Sequence, residues 1–160
     1  AGRAKDLIIR SGHNIDPALI EEALLGHEAV AFAGAIGQPD QKAGELPCVY
    51  VELVAGAVAT TEELQAYCAE SIPERAAHPK YVELVDELPK TSVGKIFKPT
   101  LRKMAITRIY DAALSEASCD ARVVEVIDDK KKGLIAKVAG GASDEDVQAV
   151  LGEFTRPWMR

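Results

Sequence analysis

The sequence lacks an excess of positive charge. Its 160 residues contain 19 Lys and Arg against 25 Asp and Glu, which gives a formal net charge of −6. The basic residues are scattered, apart from one short run at 130–132. Proteins that bind DNA or RNA neutralise phosphates with a basic patch or stripe. The composition therefore argues against nucleic acid as a partner.

Long apolar runs and a dense set of cysteines are also missing. No stretch of about 18 apolar residues is present, so we expect no membrane span, and the N-terminus has no charged-then-apolar signal pattern. The three cysteines are odd in number and widely spaced, which predicts reduced buried thiols rather than disulfides or a zinc site. We expect a cytoplasmic protein without metal ligands. The cysteines are Cys48, Cys68 and Cys119.

The chain begins at Ala1 without an initiator methionine, and we expect it to be a segment of a longer protein. Its apolar content of 48% is enough to bury a core. In the first two thirds, β-branched stretches alternate with helical patterns. We predict a small hairpin at 7–15, strands at 29–36, 48–54 and 81–85, and helices starting near residues 17, 61 and 99. A long loop would join the strands at 29–36 and 48–54.

Capping residues mark two of the predicted helix starts. Asp16 precedes Pro17, which suits an N-cap followed by proline in the first turn. Thr60 stands three residues before Glu63, which is the spacing of a capping box. The predicted fold class is α+β, with a small N-terminal β-hairpin and a central three-stranded sheet flanked by helices.

The last third follows a small polar linker at 115–120. Two strands flank a charged turn at 128–133, and a helix begins at Ser143 with an acidic first turn. We therefore predict two units, 1–114 and a β-β-α extension at 115–160. This extension could be a packing appendage, a ligand-sensing module or an oligomerising module, since an exposed edge strand can pair with another chain.

The loop from Pro89 to Ile96 holds the strongest local signal for chemistry. Two lysines, a threonine and a glycine lie where a backbone can approach a phosphate and an ammonium can reach an anion. The loop is not a nucleotide P-loop, because that pattern requires a glycine where Pro89 stands and a hydroxyl where Ile96 stands. From spacing alone, a solvated turn with incidental lysines remains open.

A second segment, near the N-terminus, combines charged residues with a turn that follows a strand. In the turn Ser11-Gly12-His13-Asn14, a ligand could pass the glycine because no side chain blocks it. His13 has no Cys or carboxylate neighbour at metal-ligand spacing, so it is weak as a metal ligand.

Three segments, taken in order, resemble the C-terminal domain of the adenylate-forming enzymes. This superfamily contains acyl-CoA synthetases, luciferases and peptide-synthetase adenylation domains. The resemblance covers about residues 1–109, and the stretch 73–102 is similar to bacterial fatty-acyl-CoA synthases. The three segments are Gly2-Arg3-Ala4-Lys5-Asp6, Gly12-His13-Asn14-Ile15-Asp16-Pro17-Ala18-Leu19-Ile20-Glu21 and Pro89-Lys90-Thr91-Ser92-Val93-Gly94-Lys95-Ile96.

The resemblance implies an ATP-dependent fatty acid–CoA ligase that forms an acyl-adenylate and then an acyl-CoA thioester. Its partners would be ATP, fatty acid, CoA and its own N-terminal domain, which would also bind Mg²⁺. Without that domain the chain would be inactive. A homo-oligomer is also conceivable. The alternative within the superfamily is an adenylation domain that loads a carrier protein.

The resemblance also implies site residues. Lys95 would be the catalytic lysine of adenylation, and Lys5 would be the hinge about which the domain rotates between the two steps. Asn14 departs from many acetyl-type members, which carry an arginine there. The residues implied to bind ATP or CoA are Arg3, Ser11, Gly12, His13 and Gly94.

Overall fold

The structure is a computed structural model that describes residues 6–160. These residues form two β-sheets and four α-helices, so the predicted α+β class is confirmed. The strands of the first sheet are β1 (Ile8–Arg10), β2 (His13–Ile15), β3 (Val30–Asp40), β4 (Gly44–Leu53) and β5 (Tyr81–Val85); those of the second are β6 (Arg122–Asp129), β7 (Gly133–Ala139) and β8 (Trp158–Met159). The helices are α1 (Pro17–Leu25), α2 (Thr61–Ser71), α3 (Lys98–Glu116) and α4 (Asp144–Leu151), with a short 3₁₀ helix at Arg75–Ala77.

Strand β4 is the centre of the first sheet. It pairs antiparallel with β3 along one edge and parallel with β5 along the other. The predicted N-terminal hairpin, β1 and β2, is not separate from this sheet, because Arg10 of β1 pairs with Gly44 of β4. The sheet therefore has five strands rather than the predicted three.

The β3–β4 connection is shorter than predicted. Both strands continue through the expected loop, and pairing runs to Asp40 opposite Gly44. The carboxylate of Asp40 accepts the N–H groups of Lys42 (3.1 Å) and Ala43 (2.8 Å), and Gly44 has φ +83°. These features reverse the chain in a few residues. The turn itself is thus confined to the tip, residues 41–43.

The predicted helix caps are confirmed. The carboxylate of Asp16 accepts the N–H of Ala18 at 3.0 Å, and the hydroxyl of Thr60 accepts the N–H of Glu63 at 3.1 Å. Helices α1 and α2 pack on one face of the sheet, and α3 packs on the other. Alternate residues of β4 serve the two faces, since a strand points successive side chains to opposite sides. Val49 and Val51 face the α1/α2 core, whereas Cys48 and Tyr50 face α3.

The second sheet packs against the C-terminal half of α3. Ile106, Tyr110 and Leu114 of α3 are buried among residues of β6, β7 and α4. The predicted β-β-α order is confirmed, but the chain then returns as β8, which pairs parallel with β7. The predicted linker at 115–120 starts inside the last turn of α3. The division into units at residue 114 remains a prediction. No helix among residues 6–160 is long and apolar enough to cross a membrane.

Candidate functional site

The loop that carries Lys95 is closed by backbone hydrogen bonds. Lys90 and Ile96 form an isolated antiparallel bridge. Inside it, the N–H of Thr91 donates to the carbonyl of Lys95 at 2.7 Å, and the N–H of Gly94 donates to the carbonyl of Thr91 at 2.9 Å. The Lys95 N–H in turn donates to the Thr91 hydroxyl at 3.2 Å. Lys95 is therefore presented, exposed, from a backbone held on both sides.

Gly94 is required by the backbone of this loop. Its φ is +84°, a conformation that costs a non-glycine residue energy. A Cβ built on Gly94 would meet no described atom within 4 Å. The outer face of the turn next to Lys95 is therefore free of the surrounding residues that the structure describes.

The structure distinguishes three lysines that the sequence presents alike. The ammonium of Lys90 lies 2.9 Å from Glu52 Oε1 and 4.4 Å from the centroid of the Phe32 ring. The ammonium of Lys98 lies 3.0 Å from Glu21 Oε2. Within residues 6–160, the ammonium of Lys95 has no hydrogen bond or ion pair. Lys90 and Lys98 thus tie the loop to β4 and α3 to α1, whereas Lys95 makes no such contact within residues 6–160.

Glu52 joins the loop to the sheet. Its carboxylate accepts the N–H of Leu88 at 2.9 Å as well as the Lys90 ammonium. The Leu88 hydrogen bond, followed by the Lys90 hydrogen bond, lowers the pKa of Glu52 below its ordinary value, because both favour the charged form. Sequence reasoning missed this residue, since Glu52 reads as a polar position in a strand.

Gly34 of β3 is the position on the strand against which the loop packs. A Cβ there would lie 2.7 Å from Leu101 Cδ1 and 2.9 Å from Ile96 Cγ2. These contacts are closer than real Cβ atoms allow, so a larger residue at position 34 would force the side chains of Ile96 and Leu101 to shift away from the strand. A glycine inside a strand pattern was the available signal, and sequence reasoning did not use it.

The turn Ser11-Gly12 joins β1 to β2. Ser11 has φ +49° and Gly12 has φ +80°, which are the signs of a type I′ hairpin turn. The N–H of Ser11 donates to the carbonyl of Ala43 at 2.7 Å, so the tip of the β3–β4 hairpin supports the turn. A Cβ on Gly12 would meet no described atom within 4 Å. No atom that the structure describes therefore covers this face of Gly12.

A basic cavity of about 580 Å³ opens beside the turn. The residues that line it include three basic ones, Arg10, Arg75 and Lys80. The Arg10 guanidinium donates to the carbonyl of Ala76 at 2.9 Å, which fixes its position. Such an arrangement suits an anionic ligand with several charges.

His13 also lines this cavity, and its Nε2 is hydrogen-bonded to the Glu74 carboxylate. No group of three or more His, Cys, Asp and Glu side chains within residues 6–160 is arranged to hold a metal ion. Burial raises the pKa of the Cys48 thiol to about 12 and that of Cys68 to about 11. Cys119 is partly exposed, so the prediction of burial fails there.

The two candidate regions lie at opposite ends of β4. Lys95 belongs to the loop anchored by Glu52, and the Ser11 turn is attached at Ala43 and Gly44. Glu52 lies eight residue steps along the strand from Gly44, which corresponds to about 26 Å at about 3.3 Å per step. The structure therefore does not bring Lys95 together with the predicted residues Ser11, Gly12 and His13. Arg3 and Lys5 lie outside the described residues.

Comparison with known proteins identifies relatives of this arrangement. Residues 19–95 match the AMP-binding enzyme C-terminal domain. The chain is 44% identical over 155 residues to marinolic acid–CoA ligase of Pseudoalteromonas sp. (strain SANK 73390), covering 96% of this chain and 24% of that protein. It is 42% identical over 102 residues to the mitochondrial medium-chain acyl-CoA ligase ACSF2 of Danio rerio, covering 64% of this chain and 17% of that protein.

A solved structure, the Mycobacterium tuberculosis fatty acyl CoA synthetase, superposes with a TM-score of 0.57 at 35% identity. The match covers 62% of this chain and 20% of that structure. The chain thus spans a quarter or less of the length of these relatives. The resemblance predicted from the three segments is confirmed: the chain belongs to the AMP-binding enzyme C-terminal domain family of adenylate-forming ligases.

Proposed function

We propose that this chain is the C-terminal domain of an ATP-dependent fatty acid–CoA ligase and that Lys95 acts in its adenylation step. One observation carries the proposal. Among the lysines of the loop and the start of α3, Lys90 and Lys98 are neutralised by Glu52 and Glu21, whereas the exposed ammonium of Lys95 is left without a partner in residues 6–160. A rigidly presented, uncompensated cation suits a site that must stabilise negative charge.

In adenylation, a carboxylate oxygen of the acid attacks the α-phosphorus of ATP, and pyrophosphate leaves with the electrons of the broken P–O bond. Negative charge gathers on the phosphate oxygens as the new bond forms. An ammonium held against those oxygens and the incoming carboxylate stabilises and orients both, an effect of about 3 kcal/mol for one well-placed donor. Lys95 would supply this ammonium, while Gly94 leaves room for the nucleotide. Mg²⁺ bound by the N-terminal domain would offset charge on the phosphates.

In the second step, the thiolate of CoA attacks the carbonyl of the acyl-adenylate, and AMP leaves. We assign the CoA face to the turn Ser11-Gly12-His13 and the adjacent basic cavity. Three cations line that cavity, and CoA carries three phosphate groups. The open space over Gly12 would let the thiol arm pass. The charge of this cavity favours CoA over a carrier protein as the acceptor.

The separation of the two regions supports a rotation of the domain between the two steps. The two regions attach to β4 at points about 26 Å apart along the strand, which supports their acting in two different orientations of the domain rather than in one. We propose Lys5 as the hinge of this rotation and Arg3 as a contact to the adenylate; both rest on the sequence resemblance. Medium-chain and fatty acyl ligases among the relatives support a fatty acid as substrate. The three free thiols support a cytoplasmic location.

The test compares two half-reactions in the intact protein that carries this segment. Lys95→Ala should lower ATP–pyrophosphate exchange by about 100-fold or more, the loss typical of removing one such donor. Thioester formation from pre-made acyl-adenylate should fall far less. Lys137→Ala, an exposed lysine on β7, is the matched control and should leave both rates unchanged. Equal losses in the two half-reactions, or no loss in exchange, would refute the assigned role.

The acceptor is tested separately. Arg75→Glu and Lys80→Glu should raise the KM for CoA, because each replaces a cation of the cavity with an anion, and should leave pyrophosphate exchange unchanged. Thioester formation measured with CoA and with a phosphopantetheinyl carrier protein identifies the acceptor. Turnover with the carrier protein alone would contradict the proposed CoA ligase.

A further inference from the structure

We propose that Gln41 and helix α4 position the Ser11-Gly12 turn, so that the C-terminal extension supports the thioester step. The structural link from α4 through Gln41 to the turn rests on contacts within the chain. Its catalytic consequence rests on the function proposed above. Gln41 is thereby a positioning residue, because it acts on the turn through the tip of the β3–β4 hairpin.

The first step of the link is the attachment of the extension to α3. Tyr110 is completely buried between α3 and the second sheet, and its hydroxyl donates to the carbonyl of Arg156 at 2.7 Å. The carboxylate of Asp111 accepts the N–H of Val123 at 2.7 Å. Helix α4 packs on the same core through Val147 and Leu151. The extension is therefore tied to α3 by buried apolar contacts and by hydrogen bonds near both of its ends, at Val123 and at Arg156.

The second step joins α4 to the tip of the β3–β4 hairpin. The side-chain amide of Gln41 donates to the carbonyl of Val150 at 3.3 Å. Val150 lies in the last turn of α4, where carbonyl groups have no partner within the helix. A cavity of about 680 Å³ separates the tip from α3 and α4. Gln41 spans this gap, so the tip depends on a side-chain bond there rather than on close packing.

The third step joins the tip to the turn. The carbonyl of Ala43 accepts the N–H of Ser11 at 2.7 Å, and Arg10 pairs with Gly44. Ser11 has φ +49°, a region that costs a residue with a side chain energy and persists only where its surroundings hold it. The hydrogen bond from the Ser11 N–H to the Ala43 carbonyl is such a restraint. Only Lys42 and Ala43 lie between Gln41 and Ser11 along this path, so a shift of Gln41 is transmitted to Ser11.

The Lys95 loop does not share this support. It is anchored by Glu52 and seated on Gly34, at the other end of β4 from the tip. A loosened tip should therefore disturb the turn and leave Lys95 in place. This asymmetry predicts a defect in one half-reaction only, which a general loss of folding would not produce.

The link is tested by hydrogen exchange of the Ser11 amide in the intact protein. Gln41→Ala removes the donor, and Gln41→Glu puts an acceptor against the Val150 carbonyl. Both should accelerate Ser11 exchange by about 2- to 10-fold, the range for losing one hydrogen bond. Gln148→Ala is the matched control, since Gln148 bonds Trp158 within the extension and does not touch the tip. Unchanged Ser11 exchange in both Gln41 variants would overturn the link.

The catalytic consequence is tested with the same variants. The KM for CoA should rise by about 2- to 10-fold in Gln41→Ala and Gln41→Glu, with pyrophosphate exchange unaltered. Faster Ser11 exchange with an unchanged KM would overturn the positioning role. If the unsubstituted protein makes no acyl-CoA, the proposed function fails, and the exchange measurement still decides whether α4 restrains the turn.

Discussion

Lys90 and Lys95 stand five residues apart in the same loop, and the structure predicts opposite consequences for replacing them. We consider Lys90→Met and Lys95→Met, which keep an unbranched side chain of similar length and remove the charge. Lys90 is 22% exposed, and its ammonium meets Glu52, the carbonyl of Leu88 and the ring of Phe32. Lys95 is exposed and has no such partner within residues 6–160. Only Lys90→Met should lower the free energy of unfolding.

The magnitude follows from these contacts. A hydrogen bond to a charged group contributes about 1.5–3 kcal/mol, and a cation over an aromatic ring adds about 0.5–1 kcal/mol at an exposed site. Solvent reaches both partners of the ion pair, since Glu52 is 18% exposed, and this screening reduces the gain. We therefore expect Lys90→Met to lower the free energy of unfolding by about 1–3 kcal/mol. Lys95→Met should change it by no more than about 0.5 kcal/mol.

Urea unfolding of the 160-residue chain, followed by far-UV circular dichroism, measures this difference. The midpoint should fall for Lys90→Met at an unchanged slope, because the native surface remains the same. Thermal unfolding should show the same order, with about 2–4 °C lost for each kcal/mol in a chain of this size. Equal midpoints for the two variants would refute the assignment of Lys90 as the anchor and of Lys95 as the free cation.

Three further predictions concern the supports of the site. The lowered pKa of Glu52 means that its stabilisation is present above the ordinary carboxyl pKa and is lost as pH falls through the folded value; Glu52→Gln should flatten this part of the acid limb in urea unfolding. Gly34→Ala should displace Ile96 from β3 and lower the free energy of unfolding by about 1–3 kcal/mol. It should also slow adenylation, although residue 34 itself contacts no ligand. Tyr110→Phe leaves the Arg156 carbonyl without its donor and should cost about 1–3 kcal/mol.

Each of these predictions has its own control. Glu62→Gln changes an exposed carboxylate on α2 and should keep the acid limb of Glu52 intact; an unaltered limb in Glu52→Gln would count against the pKa shift. Gly56→Ala is the control for Gly34→Ala. It strains the backbone at φ +80° but brings no atom into close contact, so it distinguishes the cost of a glycine-to-alanine change from the cost of displacing the loop. Full stability of Tyr110→Phe would show that its hydroxyl does not hold the end of the extension.

Much of the local structure was predictable, because it is encoded by neighbouring residues. Asp16 and Thr60 cap their helices through bonds to N–H groups two or three residues away. The strand at Tyr81–Val85 was expected from its β-branched and aromatic residues. The predicted loop between β3 and β4 was wrong, since Pro39 stands opposite Glu45 within the paired ladder. Composition there indicated a turn but could not say that the turn is confined to the tip.

The sequence by itself determined the family and pointed to the loop that carries Lys90 and Lys95. Both conclusions rest on ordered motifs and capping residues, which can be recognised from neighbouring positions in the chain. Only the tertiary structure decided which of Lys90, Lys95 and Lys98 has no ion-pair partner among residues 6–160. Glu52 lies 38 residues from Lys90 in the chain, and Glu21 lies far from Lys98 on a different helix. Strand register and helix packing bring these carboxylates to two lysines and leave Lys95 without a partner among residues 6–160. Such long-range pairings depend on packing that no local pattern encodes.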